Sequence, residues 1–165
     1  MGFFEHSNII VGIDEADGKI IFSHRFETEV EKSRIIEDER RYFPTIRENP
    51  RALAGVFDLL SRYRAGEHID PTDHDVVFSR GTSFQKKVWA TLKETRKGDS
   101  VTYRELAERA GSPNAQQAVG QAMGKNYLLV FVPCHRVIAA GNKIGGFSAG
   151  IQNKRYLLRL EGNEL

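Results

Sequence analysis

The sequence predicts an α+β protein of two small domains, 1–78 and 79–165. Alternating apolar residues around an Asp-Gly pair predict an antiparallel β-hairpin near the start, whereas helical spacing dominates after residue 79. The charge changes at the same place: residues 1–78 hold 10 Lys/Arg and 16 Asp/Glu, and residues 79–165 hold 14 and 6. This asymmetry favours a polyanion as the partner of the second half, with chance surface variation as the alternative.

Composition excludes several classes of protein. With 165 residues, 40% of them hydrophobic, the chain is long enough for a real core. Its one cysteine rules out an internal disulfide and argues against a cysteine-rich zinc site. Residues 1–6 lack the pattern of a signal peptide, and no apolar run approaches the ~20 residues of a membrane span. We therefore expect a cytoplasmic protein with no membrane association.

The first half begins with the hairpin. Its strands are expected at 9–13 and 19–23, with Asp17 and Gly18 in the turn because glycine accepts positive φ. The charged segment that follows is ambiguous, and 34–42 fits either a short helix or a loop.

An amphipathic helix is predicted from about 51 to 64, and Gly66 should close it. Residues 67–78 then resemble a linker that ends in a short strand at 76–78. The apolar positions of the helix recur at helical spacing: Leu53, Val56, Phe57, Leu60 and Tyr63.

Two helices with strong start signals open the second half. Thr82 or Ser83 should cap the first of them. Thr102 and Glu105 form a capping box for the second, which should stop at Gly111. The residues that should face inward are Phe84, Val88, Trp89 and Leu92 in the first helix, and Leu106, Ala107 and Ala110 in the second.

A third helix should start at Ser112 and Pro113, in the favoured order of cap and then proline. Together with the preceding helix it forms a helix-turn-helix candidate, although purely structural helix pairs are common. Amides and small residues on its outer face favour close approach to a nucleic-acid groove. That outer face comprises Asn114, Gln117, Gln121 and Lys125; the inner face comprises Ala115, Ala118, Val119, Ala122 and Met123.

The single cysteine, Cys134, lies in Pro-Cys-His-Arg-Val at 133–137, directly after the apolar run 127–132. That run predicts a buried strand, which Pro133 ends because proline cannot donate to a ladder. A lone cysteine is usually a small buried hydrophobe. Here, however, a histidine and an arginine follow it, and nearby positive charge lowers a thiol pKa and favours the thiolate.

Residues 84–162 resemble the O6-alkylguanine-DNA alkyltransferases, the methylated-DNA–protein-cysteine methyltransferases. About half the chain is covered, in order and with the family's spacing, whereas the first half matches only in length and layout. The matching motifs are Phe-Gln-x-x-Val-Trp at 84–89, Thr-Tyr-x-x-Leu-Ala at 102–107, Ala-Val-Gly-x-Ala-Met at 118–123, Asn126, Pro-Cys-His-Arg-Val at 133–137, Gly-Phe-Ser at 146–148 and Leu-Glu-Gly at 160–162.

The resemblance implies single-use alkyl transfer from O6-alkylguanine in double-stranded DNA, with O4-alkylthymine as an open second substrate. Cys134 would be the nucleophile that keeps the alkyl group, and His135 would take its proton through a water. Glu161 would orient that histidine, as in a catalytic triad. Tyr103 would donate toward the departing purine, and Asn126 would hold the loop around the thiol.

The resemblance also implies extrusion of the damaged nucleotide and a helix that binds the minor groove. The DNA contacts expected from this are Gln117, Ala118, Gly120, Gln121, Lys125, Arg136 and Thr102. The pocket for the base would be lined by Tyr103, Met123, Val137, Phe147, Ser148 and Ala149, with the Val137 main chain and Ser148 bonded to the base edge.

By the same resemblance, the first domain would be RNase H-like, and the second would be mainly helical with a winged helix-turn-helix-like element. We expect a monomer with no cofactor. Some relatives carry zinc in the first domain, but the histidines of that half have no cysteine partner, so we expect no metal. These histidines are His6, His24, His68 and His74.

Three positions depart from the family pattern. Gln117 stands where an arginine finger is usual, and glutamine lacks the charge and planar fork of arginine. Phe147 replaces a frequent tyrosine, so one hydrogen bond to the base would be missing. Ala149 replaces a frequent glycine, which would narrow the pocket.

Two rival functions remain at the level of sequence. A thiol hydrolase also uses a Cys-His pair, but its base normally comes from distant sequence, and it gains nothing from a helix-turn-helix. The second rival is a DNA-binding module or a lesion sensor that does no chemistry. Sensors of this family lack the cysteine, which this chain retains at Cys134.

Overall fold

The computed structural model describes residues 8–165, so the expectations for His6 and for the other residues before Asn8 lie outside the described part. Helices and two small sheets are mixed along the chain, as an α+β class requires. Two single turns of 3-10 helix, Pro71–Asp73 and Cys134–Arg136, lie between the larger elements. In chain order these are β1 (Asn8–Ile13), β2 (Ile20–Phe26), α1 (Glu29–Arg40), α2 (Pro50–Arg64), α3 (Ser83–Lys93), β3 (Val101–Thr102), α4 (Tyr103–Arg109), α5 (Gln116–Gly124), β4 (Val137–Ile138) and α6 (Ile151–Leu160).

The predicted hairpin is confirmed. Strands β1 and β2 pair antiparallel, and Gly18 in the turn has φ of 73°. The strand expected at 76–78 is reduced to an isolated parallel bridge between Val76 and Ile20. A second bridge joins Ser23 of β2 to Leu128, so β2 links the first half of the chain to the second.

The ambiguous charged segment is largely helical. Helix α1 begins after Thr28, whose side chain caps it by accepting from the Glu31 N–H. Helix α2 follows the predicted bounds, and Gly66 ends it with φ of 82°. Phe57 departs from its predicted inward position: it is 42% exposed and lines an apolar cleft of about 810 Å³ between α2 and the hairpin.

The cap predicted at Thr82 or Ser83 is Thr82, and the capping box predicted at Thr102 is confirmed. Thr82 forms a capping box as well, which was not predicted. The hydroxyls of Thr82 and Thr102 accept from the backbone N–H groups of Gln85 and Glu105, respectively. The side chains of Gln85 and Glu105 in turn accept from the backbone N–H groups of the two threonines. The predicted start of the third helix is wrong, because α5 begins at Gln116 rather than after Ser112 and Pro113. Asn114 has φ of 68°, a left-handed backbone conformation that a right-handed helix cannot pass through.

The strand predicted at 127–132 is also wrong, although the segment is buried as expected. Val130 has φ of 74° and sits in a turn that the Val132 N–H closes on the Leu128 carbonyl at 2.8 Å. The Ser23 hydroxyl donates to the Leu129 carbonyl at 2.6 Å, so β2 satisfies backbone groups that the buried turn would otherwise leave unpaired. Periodicity cannot separate a buried turn from a buried strand.

One hydrophobic core runs through both halves of the chain. Its largest buried side chains include Trp89, Tyr63, Phe22 and Phe131. The Trp89 indole donates to the Ala122 carbonyl at 3.0 Å and thereby ties α3 to α5. Among the described residues, no helix has the length and apolar character that crossing a membrane requires.

Candidate active site

Cys134 begins the 3-10 turn that follows Pro133, and it is only 4% exposed. Its N–H donates to the Val132 carbonyl at 2.8 Å. The Asn126 amide nitrogen lies 3.1 Å from the Cys134 Sγ and 2.9 Å from the Val132 oxygen. Asn126 therefore holds both the thiol and the backbone before it, which is the position that the sequence analysis expected.

The thiol is not a preformed thiolate. Burial raises the pKa of Cys134 above its ordinary value, and this effect exceeds the opposing ones from the Asn126 amide, the Lys154 charge and two backbone N–H groups. The sequence-based expectation of a lowered pKa is therefore wrong for the protein without substrate. The physical reason is geometric, since the side chains of His135 and Arg136 bind Glu161.

His135 and Glu161 form a buried pair, with the Nε2 and Oε1 atoms 3.0 Å apart. Burial tends to raise the pKa of Glu161, but His135 and Arg136 outweigh it and hold that pKa well below its usual range. Because the carboxylate can only accept, Nε2 of His135 must be the donor. The other ring nitrogen, Nδ1, is buried and has no hydrogen-bond partner among the described residues, so it is free to accept a proton.

Arg136 does not contact DNA in this fold, which corrects the sequence-based assignment. The residue is 0% exposed. Its Nε and Nη2 each lie 2.9 Å from a Glu161 oxygen, Nη2 lies 2.9 Å from Asp70, and Nη1 donates to the Thr95 carbonyl at 2.6 Å. The guanidinium is therefore an internal ion-pair partner, and because it is fully buried it is not accessible to a DNA phosphate.

Two residues of the first half reach this cluster, and the sequence analysis missed both as site residues. Besides Asp70, the Tyr63 hydroxyl donates to Oε1 of Glu161 at 2.6 Å. Burial, followed by the charge of Glu161, raises the pKa of Tyr63 well above its usual value, so it remains a donor. Its place on the apolar face of α2 signalled burial, but nothing in the sequence signalled a partner 98 residues away.

A cavity of about 200 Å³ opens next to the thiol. Tyr103, Met123, Phe147 and Ser148 line it as expected, and Gly120, Gly124 and Gly146 complete its wall. Two predicted lining residues are not among them: Val137, which is 0% exposed, and Ala149, which packs against the core. The Val137 main chain was expected to bind the base edge; its carbonyl accepts from the buried Lys154 ammonium.

Tyr103 is one of the residues that line this cavity. It is half-buried, and its hydroxyl lies 3.5 Å from the Gly146 carbonyl, at the long limit of a hydrogen bond. Burial, with a contribution from Cys134, raises the pKa of Tyr103. Tyr103 therefore keeps its proton at neutral pH and faces the same cavity as the thiol.

Lys154 is a further residue that the sequence analysis missed. It is completely buried, and its ammonium binds the carbonyls of Val137 and Gly146, the latter at 3.1 Å. Burial lowers its pKa to about 8. The sequence did indicate that Lys154 is buried, since Lys154, Leu157 and Leu158 lie at i, i+3 and i+4 on one face of α6.

The outer face of α5 is available to a partner. Gln117, Gln121 and Lys125 are exposed, while Ala118 and Gly120 are half-buried between them and the core. Thr102, also predicted to bind DNA, uses its hydroxyl to cap α4 by accepting from the Glu105 N–H at 3.1 Å.

No metal centre is formed by the side chains that the structure describes. Between residues 8 and 165, His, Cys, Asp and Glu residues nowhere gather in a group of three or more that could hold a metal ion.

Several known proteins resemble this chain in sequence. Residues 83–163 match the family model "6-O-methylguanine DNA methyltransferase, DNA binding domain". The methylated-DNA–protein-cysteine methyltransferase of Mycolicibacterium paratuberculosis is 44% identical over 115 residues, which cover 69% of this chain and 68% of that protein. The protein of the same name from Methanosarcina acetivorans is 48% identical over 105 residues, covering 63% of this chain and 65% of that protein.

A solved structure extends the likeness to the first half. Mycobacterium tuberculosis OGT in complex with DNA superposes with a TM-score of 0.69 at 29% identity, covering 93% of this chain and 92% of that one. The similarity therefore spans nearly the whole fold as well as the motif around Cys134. This chain belongs to the methylated-DNA–protein-cysteine methyltransferase family.

Proposed function

We propose that this protein repairs alkylated DNA directly, by transferring the alkyl group of O6-alkylguanine to Cys134 once per molecule. The observation that carries this proposal is the position of the only cysteine. It is buried at the wall of a small cavity, bonded to Asn126 and adjacent to the His135–Glu161 pair. O4-alkylthymine remains an open second substrate.

The reaction exchanges one bond to carbon for another. His135 takes the Cys134 proton at Nδ1 through a water, and Glu161 stabilises the imidazolium. The sulfur forms a bond to the alkyl carbon as the bond between that carbon and guanine O6 breaks. The electron pair stays on the purine, which takes a proton from Tyr103, and Tyr103 regains a proton from the imidazolium of His135 through solvent. Guanine is restored, the cysteine keeps a thioether, and no cofactor takes part.

Substrate binding requires the base to leave the stack. The cavity is smaller than the roughly 300–1,000 Å³ of pockets for drug-sized ligands, so it suits one flat base. Phe147 and Met123 offer apolar walls to that base, and Ser148 offers a hydroxyl. Extrusion costs a few kcal/mol. Binding must recover this cost, and we assign that task to α5.

On α5, the exposed Gln117, Gln121 and Lys125 would contact the duplex, with Ala118 and Gly120 allowing close approach. Gln117 would fill the space left by the flipped base. It would do so more weakly than an arginine, because it carries no charge.

We further propose a division into domains 1–78 and 79–165, the first RNase H-like and the second with a winged helix-turn-helix-like arrangement around α4 and α5. A monomer suffices, since one chain supplies the thiol, the base and the binding helix. A cytoplasmic location suits the chemistry, because the thiol of Cys134 must stay reduced until it reacts.

The test is intact mass measurement after mixing the protein with duplex DNA that contains one O6-methylguanine. We expect a gain of one CH2 per molecule, mapped to Cys134 and absent in Cys134→Ala. An undamaged duplex of the same sequence is the matched control. Lesion-specific binding without any mass gain would overturn the transfer chemistry and favour a sensor.

A further inference from the structure

We infer that Tyr63, from the first half of the chain, is a positioning residue for alkyl transfer and acts on His135 through Glu161. The inference rests on the proposed function and extends it to a residue outside the matched family region of 83–163. Tyr63 does not line the cavity next to Cys134, so its effect must pass through the carboxylate.

The geometry singles out one oxygen of Glu161. Oε1 accepts from the Tyr63 hydroxyl at 2.6 Å, from Arg136 Nη2 at 2.9 Å and from His135 Nε2 at 3.0 Å. The contact with Tyr63 is the shortest of the three, and the tyrosine side chain is completely buried. Three donors on one oxygen fix its direction and draw negative charge away from His135.

Several charged groups among residues 8–165 lie near this carboxylate and Tyr63. Arg136 binds both oxygens of Glu161, and Asp70 stands behind Arg136. The Lys97 ammonium lies 5.5 Å from the centre of the Tyr63 ring. On the side of the thiol, Cys134 adjoins His135 in the chain and Lys154 acts on the thiol's charge. None of these groups replaces the neutral donor that Tyr63 supplies to Oε1.

Removal of the hydroxyl should therefore have two consequences. The carboxylate keeps its ion pair with Arg136 but directs more negative charge toward His135, which holds a proton on the imidazole more strongly. Proton uptake by the imidazole blocks Nδ1 as a base, so the acid side of the pH–rate profile should move to higher pH. The Glu161 carboxylate is also held less firmly in its orientation toward His135, which should slow methyl transfer at every pH.

The experiment compares single-turnover methyl transfer from O6-methylguanine duplex by the wild type and Tyr63→Phe, from about pH 5 to about pH 9. We expect the rate near neutral pH to fall about tenfold and the acid-side midpoint to rise by about one pH unit. The matched control is Tyr127→Phe. It also removes the hydroxyl of a buried tyrosine, but one that contacts Val77 and Arg80. Its midpoint should equal that of the wild type.

A second variant covers the case in which Tyr63→Phe fails to fold. 3-Fluorotyrosine at position 63 keeps the shape of the side chain and donates more strongly, so the midpoint should move to lower pH. An unchanged midpoint in a folded variant, whether or not the rate falls, would overturn the role of Tyr63. Failure of the wild type itself to transfer methyl would instead overturn the proposed function.

Discussion

Asp70 Oδ1 lies 2.9 Å from Nη2 of Arg136 and joins the first half of the chain to the arginine beside the thiol. Both side chains are largely shielded from water, at 10% and 0% exposed. The same arginine binds both oxygens of Glu161. The first half of the chain therefore supports the site electrostatically as well as through the shared core.

Asp70→Asn should destabilise the protein by about 2 kcal/mol, because it removes the charge from a largely buried hydrogen bond, while Arg136 keeps its ion pair with Glu161. Asp73→Asn is the matched control. Asp73 pairs with Arg96 at the surface, where both side chains are about two-thirds exposed, and its loss should cost less than about 1 kcal/mol. Urea unfolding at neutral pH measures both values. Equal losses of unfolding free energy in the two variants would show that the buried ion pair stabilises the protein no more than the exposed one.

Lys154→Met should make Cys134 harder to deprotonate. The Lys154 charge lowers the pKa of the thiol against the larger opposing effect of burial, so its removal should raise that pKa further. At about pH 7, where Lys154 still carries most of its charge, iodoacetamide should alkylate Cys134 more slowly in the variant than in the wild type, without DNA. Equal rates would mean that the ammonium only binds the carbonyls of Val137 and Gly146.

The same lysine makes a prediction about the stability of the wild type. Burial depresses its pKa in the folded protein to about 8, below the roughly 10.4 of an unfolded lysine. Between these values the unfolded chain binds more protons, so this group's contribution to stability rises with pH. Urea midpoints at about pH 8 and about pH 10 should show a rise that Lys154→Met lacks. An identical pH dependence in the two proteins would contradict the depressed pKa.

Gly145→Ala should destabilise the loop beside the cavity by about 1–2 kcal/mol. Gly145 has φ of 68°, and an added Cβ would lie 3.2 Å from the Ala139 nitrogen. The neighbouring Gly146→Ala is the control, because its φ is not in the left-handed region and a Cβ there would meet no atom within 4 Å. Thermal unfolding should separate the two variants clearly. Similar melting temperatures would mean that the loop relaxes at no cost.

Local signals in the sequence were sufficient for much of the fold. The hairpin, the helix caps at Thr82 and Thr102 and the end of α2 at Gly66 all depend on residues within a few positions of one another. The start of α5 was missed, because the backbone at Asn114 adopts a left-handed conformation that overrides the cap-and-proline signal.

The residues alone were enough to predict the chemical type of the site: a single thiol, a neighbouring histidine and the motif that places this chain in its family. What those side chains contact depends on how distant parts of the chain pack together. Arg136 turns inward to Glu161 and Asp70, Tyr63 reaches the same carboxylate, and burial keeps Cys134 protonated at rest. Adjacency in the chain fixes which residues are near one another, but long-range packing fixes solvent exposure and partners, and these set the charge of a buried group.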